Sequence, residues 1–198
     1  PTYSGTVQID GKDMTNKKPR QMIQGGISHI PADRTAIGIV GDMSVCDNLA
    51  MKKYRDEPLS KRGVLQLDFI LNFAKRMISF FSIYTPQLNT LAKFLSGGNI
   101  QKTILAREID ACGGILVGVY PSRGLDVGAT EMVRNKILEQ REKGSAIVFV
   151  SEELDELIAV ADTIAVMSEG EIMGIVDART ADIEEIGLMM AGVVRRTS

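Results

Sequence analysis

The sequence predicts an α/β fold, a parallel-sheet core carrying a largely helical subdomain. Two observations predict it. From residue 113 onward, short apolar runs alternate with helix-periodic runs, and strand–helix–strand–helix order implies parallel strands joined by right-handed crossovers. Before that point, residues 43–110 read mainly as helix. The 198 residues are 44% hydrophobic and 24% charged, the balance of a globular protein with one domain or a domain plus a subdomain.

The elements follow in order. TVQIDG (6–11) alternates and then turns, which reads as a strand and a tight turn. KKPRQM (17–22) is helix-compatible, and GISHI (26–30) is a short strand closed by Pro31. SVCDNLAMKKY (44–54) is again helix-compatible. DFILNFAKRMISFF (68–81) carries apolar residues at 69, 70, 73, 77, 80 and 81, a wide helical stripe. SIYTPQLNTLAKF (82–94) is a linker broken by Pro86, and NIQKTILAREID (99–110) is a helix entered through LSGG.

GGILVGVY (113–120) reads as a buried parallel strand. ATEMVRNKILEQREKG (129–144) is an amphipathic helix with Met132, Val133, Lys136 and Ile137, closed by Gly144. AIVFVS (146–151) reads as a second buried strand. EELDELIAVA (152–161) is a helix with Leu154, Leu157, Ile158 and Ala161 on one face. TIAVMSEGEIMGIV (163–176) is a hairpin around Ser168-Glu169-Gly170, and Thr180 is expected to cap a last helix.

Composition excludes several functions. A net charge of −2 and the absence of Trp argue against a nucleic-acid partner. Cys46 and Cys112 lie far apart without metal-ligand spacing, as buried or incidental thiols do. No apolar run approaches the roughly 18–20 residues that span a bilayer, so any membrane role requires docking onto an integral partner. His29, the single histidine, precedes Ile30-Pro31 and reads as structural or exposed.

The segment that carries chemistry is LSGGNIQK (95–102). Ser96 offers a hydroxyl, Gly97 and Gly98 permit close backbone approach, and the following helix presents its positive end, an arrangement suited to a phosphate. A serine N-cap followed by a glycine turn accounts for the same residues. GGNIQKT is not a phosphate-binding P-loop. Gln101 stands where glycine must precede Lys102-Thr103, and no strand leads into it.

LSGGNIQK, AREID, ILVGVYPSRGLDVGA and IVFVSEELDELIAVADTIAVMSEGEIMG occur in an order that resembles the nucleotide-binding domain of ABC transporters. More narrowly, it is similar to the second domain of the tandem ATPase subunits of simple-sugar and nucleoside importers. GISHIPADR…IGIVGDMSVCDNL matches the family's strand and loop into the helical subdomain, and SIYTPQLNT leans towards the nucleoside branch. The resemblance covers roughly residues 3–176. It implies an ABC-type core in residues 1–42, a helical subdomain in 43–98 bearing the surface that meets the permease, and a core in 99–198 with the signature helix, the strand of the Walker B position and the terminal hairpin. It also implies that the P-loop lies upstream, so that this chain begins after it.

Members that hydrolyse ATP end the buried strand with Asp-Glu, for Mg²⁺ and the attacking water. Here those positions are Val119 and Tyr120, which can neither bind Mg²⁺ nor take a proton at neutral pH. The γ-phosphate-contacting histidine is replaced by Glu152 and the hinge-loop glutamine by Ala32. Glu152 also suits a first helical turn, beside Glu153 and Asp155. The resemblance therefore implies a catalytically degenerate half without metal ligands of its own. Ser96, Gly97, Gly98 and Asn99 are expected to contact the γ-phosphate of ATP held, with Mg²⁺, mainly by a partner ABC domain, expected to be the upstream half of the same polypeptide. Asp126 is expected in the loop that crosses that interface. The remaining partners are integral permease subunits, and the location is the cytoplasmic face of the membrane. A non-transport ABC protein and a purely structural module are the alternatives. The GLDVGA wording argues against the first, and the intact Ser96-Gly97-Gly98 mildly against the second.

Overall fold

The computed structural model describes residues 3–196. These residues fall into two compact units, divided between Val148 and Phe149.

In the first unit, β1 (Gln8–Ile9) and β2 (Lys12–Asp13) make a small antiparallel hairpin. Helix α1 (Pro19–Gln24) has proline in its first turn, where a missing N–H costs nothing. It leads into β3 (Ile27–Ile30), which pairs in parallel with β6 (Ile115–Val119), Ile27 opposite Ile115 and Ile30 opposite Gly118. The sheet order is β3-β6-β7, with β7 at Ala146–Val150. Gly26 and Gly113 let the two strands start side by side: a Cβ on Gly26 would lie 2.6 Å from the Gly113 carbonyl oxygen, and Gly26 has φ +86°. The expected parallel α/β core is therefore present. The buried character expected of 146–151 is not. Val148 is 54% and Val150 40% exposed, alternating along β7 with the half-buried Ile147 and Phe149.

The helical region contains α2 (Val45–Ala50), α3 (Leu67–Phe80) and α4 (Gly97–Asp110). Ser44 caps α2, its hydroxyl accepting from the Asp47 N–H at 3.0 Å. This helix ends four residues before the expected Tyr54. Between α2 and α3 lies a hairpin that the helical reading missed, β4 (Ser60–Lys61) with β5 (Val64–Leu65). Its turn residues Arg62 and Gly63 both have positive φ, the geometry a two-residue hairpin turn requires. In α3, Ile70, Phe73, Ala74 and Met77 are buried, whereas Phe69 and Phe80 of the expected stripe face outward. Helix α5 (Val127–Glu142) buries Ala129, Val133, Ile137 and Gln140.

The second unit contains α6 (Leu154–Val160), β8 (Thr163–Ser168), β9 (Glu171–Asp177) and α7 (Ile183–Met190). Strands β8 and β9 form the expected hairpin, turning through Glu169 and Gly170 at positive φ. Ile164, Val166, Val176, Ile186 and Met189 make its core, and Leu154, Leu157, Ile158 and Ala161 pack on it as the periodicity predicts. The cap of α7 is Asp182, which accepts from the Glu184 N–H at 2.9 Å. The expected cap, Thr180, is too early: it closes a turn onto the Asp177 carbonyl, and Ala181 and Asp182 separate it from the helix.

Candidate functional site

The predicted signature residues form one turn at the start of α4. Ser96 is the N-cap: its Oγ accepts from the Asn99 N–H at 3.4 Å and from the Asn99 side-chain amide at 2.9 Å. Asn99 also accepts, through Oδ1, from the backbone N–H of Tyr84 at 2.8 Å, which ties the turn to the loop after α3. Gly97 and Gly98 are the first two helical residues rather than a separate turn, so α4 starts two residues before the expected Asn99. Ser96 is exposed and the next three residues are half-buried. The first turn contains no acidic residue. Its N–H groups, the positive end of a fourteen-residue helix, remain chemically suited to an anion.

Sequence reasoning missed the neighbour that completes this turn. The Arg34 guanidinium lies in the space a Cβ at Gly97 would occupy, with Nη2 at 2.9 Å from that position, and it also lies against Gly124. Arg34 Nη1 donates to the Arg123 carbonyl at 3.0 Å. Arg34 opens a five-residue π-helical turn, Arg34–Gly38, capped by Asp33. The signature turn, the segment after β3 and the loop after β6 thus meet at one side chain. No local pattern in PADR announces this. The glycines at 97 and 124 were the only available trace.

The loop after β6 is held from α4 as well. Gln101 is 2% exposed, and its amide donates to the Pro121 carbonyl at 2.6 Å. Val119 ends β6 and Tyr120 follows in the left-handed region, φ 50°. Asp126 is exposed and caps α5, accepting from the Ala129 N–H at 2.8 Å. Ala32 is exposed beside Asp33 and Arg34. In the second unit, Glu152 is exposed and precedes α6, whose N-cap is Glu153. It is therefore not in the first helical turn, as the sequence suggested.

A buried ionic cluster anchors α4 deeper down, and sequence reasoning missed it also. Glu108 is 1% exposed. Its carboxylate takes Arg107 Nε at 2.8 Å, Lys52 Nζ, and the His29 backbone N–H at 3.0 Å. Arg107 Nη2 donates to the Gly38 carbonyl at 2.7 Å. Among the described residues no group of three or more His, Cys, Asp or Glu could hold a metal ion.

The solved structure of a dimeric ATP-binding cassette in a post-hydrolysis state, bound to ADP and Pi, is similar in fold, with TM-score 0.75 at 16% identity over 90% of this chain and 75% of that one. The fold is that of an ABC ATPase domain. By sequence the chain is 40% identical over 195 residues to the guanosine import ATP-binding protein NupO of Bacillus subtilis, covering 98% of this chain and 38% of the relative. It is 41% identical over 191 residues to the glucose import ATP-binding protein TsgD13 of Haloferax volcanii, covering 96% and 35%. Its homologues are thus ATP-binding proteins of nucleoside and sugar import, and the chain spans little more than a third of the length of these relatives. No protein-family model matches the chain.

Proposed function

We propose that this chain is the catalytically degenerate ABC domain of a simple-sugar or nucleoside importer, and that its LSGGN turn completes an ATP site owned by a partner domain. The observation that carries the reading is a contrast. Ser96, Gly97, Gly98 and Asn99 form an accessible turn without acidic residues, whereas Val119 and Tyr120 stand where Mg²⁺ and the attacking water need carboxylates. These residues fit the terminal phosphate of ATP and do not fit Mg²⁺. The metal and the rest of the nucleotide belong to the partner, a second ABC domain with an intact P-loop. The relatives are more than twice as long as the chain, which leaves length for such a domain in the same polypeptide.

In this role the signature stabilises charge on the phosphate without reacting. Backbone N–H groups at Gly97 and Gly98, with the Ser96 hydroxyl, donate to γ-phosphate oxygens. Their fixed placement means that no reorganisation is needed as charge shifts in the transition state. Closure is passed on mechanically: Gln101 fixes the loop after β6, and the Glu108 cluster joins α4 to β3 and to the segment after α2. We assign the helical segment 43–98 to contact with integral permease subunits, which places the protein peripherally on the cytoplasmic face of the membrane. No described helix is long and apolar enough to cross it.

The reading is tested by adding this chain to an ABC domain that carries the P-loop, Asp-Glu and histidine. ATPase activity of the pair should exceed that of either component. Unchanged activity at saturating chain, with association confirmed by sedimentation, would instead favour a structural module.

A further inference from the structure

The β4–β5 hairpin and the start of α3 carry a surface that neither the signature turn nor the Glu108 cluster uses. Val64 is 64% and Leu67 68% exposed, and Leu65 is exposed between them. Leu71, one turn beyond Leu67 on the same face of α3, is exposed as well, and exposed Lys75 continues that face by another turn. Basic residues stand beside the apolar ones. Lys61 pairs across the hairpin with Val64, and Arg62 lies in its turn. From Ser60 to Arg76 the chain carries four basic residues, Lys61, Arg62, Lys75 and Arg76, and one acid, Asp68, although its overall net charge is −2. The hairpin is fixed at its base and open at its tip. Leu59 and Ser60 are buried. The Gln66 N–H donates to the Leu59 carbonyl at 2.9 Å, and the Gln66 side-chain amide donates to the Val64 carbonyl at 3.1 Å. A Cβ on Gly63, in the turn, would meet nothing within 4 Å.

We propose that this tip touches an anionic lipid surface, with Val64, Leu65 and Leu67 entering the headgroup boundary and Lys61 and Arg62 meeting lipid phosphates. A contiguous exposed apolar patch marks an interaction site, and its composition decides between protein and lipid. The cores of protein interfaces favour aromatic residues and Met and are depleted in Lys, and Leu and Val are under-represented among their hot spots. Here aliphatic side chains are interleaved with Lys and Arg. That mixture suits a bilayer interface: aliphatic groups settle at the acyl boundary, while long basic side chains run along them to negatively charged headgroups. No described helix is long and apolar enough to cross a membrane, so the contact is with its surface. The proposal takes from the reading above only the placement beside a membrane. It needs no ATP, partner domain or permease.

The test is flotation of the 198-residue chain with vesicles of phosphatidylcholine alone and of phosphatidylcholine and phosphatidylglycerol in equal parts, without nucleotide. Binding to the mixed vesicles only is expected, and it should weaken as salt screens the charges. Lys61→Gln with Arg62→Gln should weaken it about tenfold or more, and so should Val64→Ser with Leu67→Ser. All four positions are exposed, and equal thermal melting of the variants and the parent confirms that the fold is kept. Lys12→Gln with Lys17→Gln, two exposed lysines away from the hairpin, should leave binding within about twofold of the parent, which separates a placed contact from general charge attraction. No flotation with the mixed vesicles overturns the proposal and returns the tip to a protein partner. Unchanged binding in the Val64 and Leu67 variant, or an equal loss in the Lys12 and Lys17 variant, overturns it too. None of these outcomes bears on the ATP site, whose own test uses no lipid.

Discussion

Glu108 accepts a hydrogen bond from the backbone N–H of His29 at 3.0 Å, across 79 positions of sequence. The same carboxylate pairs with Arg107 and Lys52, so one side chain joins the signature helix to the central sheet and to the segment after α2. Glu108→Ala leaves Arg107, itself 7% exposed, without its carboxylate. Removing one partner of a buried pair costs about 3–5 kcal/mol. A fall of that size in unfolding free energy is expected from urea titration. Glu108→Gln keeps an acceptor for the His29 N–H and should lose less. A loss under 1 kcal/mol in the Ala variant would show that the cluster does not anchor α4.

His29 gives the fold a pH dependence of known sign. His29 is exposed overall, yet burial of part of the ring holds its pKa below the ordinary 6.5, with Glu108 opposing and Lys52 adding to that effect. The unfolded chain therefore takes up the proton first. The contribution is complete above pH 6.5 and declines as pH falls through that value towards the folded pKa. The slope should be shallow, because the ring is partly solvated. Urea midpoints measured between pH 7.5 and 5.5 should drop less in His29→Gln than in the parent. Parallel curves for the two proteins would assign the pH dependence to other groups.

The parts of this architecture legible in the sequence are those set by local pattern. The 3.6-residue periodicity located α3 and α5, the apolar run 113–120 located β6, and Ser-Glu-Gly located the β8–β9 turn. The signature turn was legible because Ser96, Gly97 and Gly98 are contiguous. What escaped depends on pairs distant in sequence. Arg34 meets Gly97 and Gly124, and Glu108 meets His29 and Lys52, only once the sheet and helices have assembled. The apolar residues of β7 look like any buried strand. Their exposure depends on what packs over each face of the strand, which composition does not encode. The β4–β5 hairpin is two residues per strand, below the length at which alternation gives a signal.

The chain by itself should not hydrolyse ATP. On the proposed reading, Val119 and Tyr120 leave Mg²⁺ and the attacking water unsupported, and Glu152→His alone should not change that, because histidine supplies neither of the missing carboxylates. Phosphate release should stay at the buffer blank for both proteins. Turnover that follows the chain through successive columns, or a clear gain in Glu152→His, would show that the metal site lies elsewhere.

Gly97→Asp tests the signature itself, in the full subunit assembled with its permease. A side chain at 97 begins 2.9 Å from Arg34 Nη2, and that guanidinium can swing aside, so crowding alone is survivable. The charge is not. An aspartate there repels a phosphate in a closed interface, and pairing with Arg34 would pull it across the face of the turn. Losing one phosphate donor in such a site costs about 2–4 kcal/mol of transition-state stabilisation. ATPase and solute uptake should therefore fall by roughly two orders of magnitude or more, although on the proposed reading the altered residue lies outside the domain that owns the catalytic carboxylate. Gly97→Ala separates the effects, since it adds the Cβ without the charge and should retain most activity. Ser96→Ala should be intermediate. It removes the hydroxyl and a cap worth about 0.5–2 kcal/mol, while the backbone donors and the helix dipole survive. All three are measured together in membrane vesicles, as ATP hydrolysis and as solute uptake. Normal rates in Gly97→Asp would mean that the turn grips no phosphate and that the chain serves the assembly by shape alone.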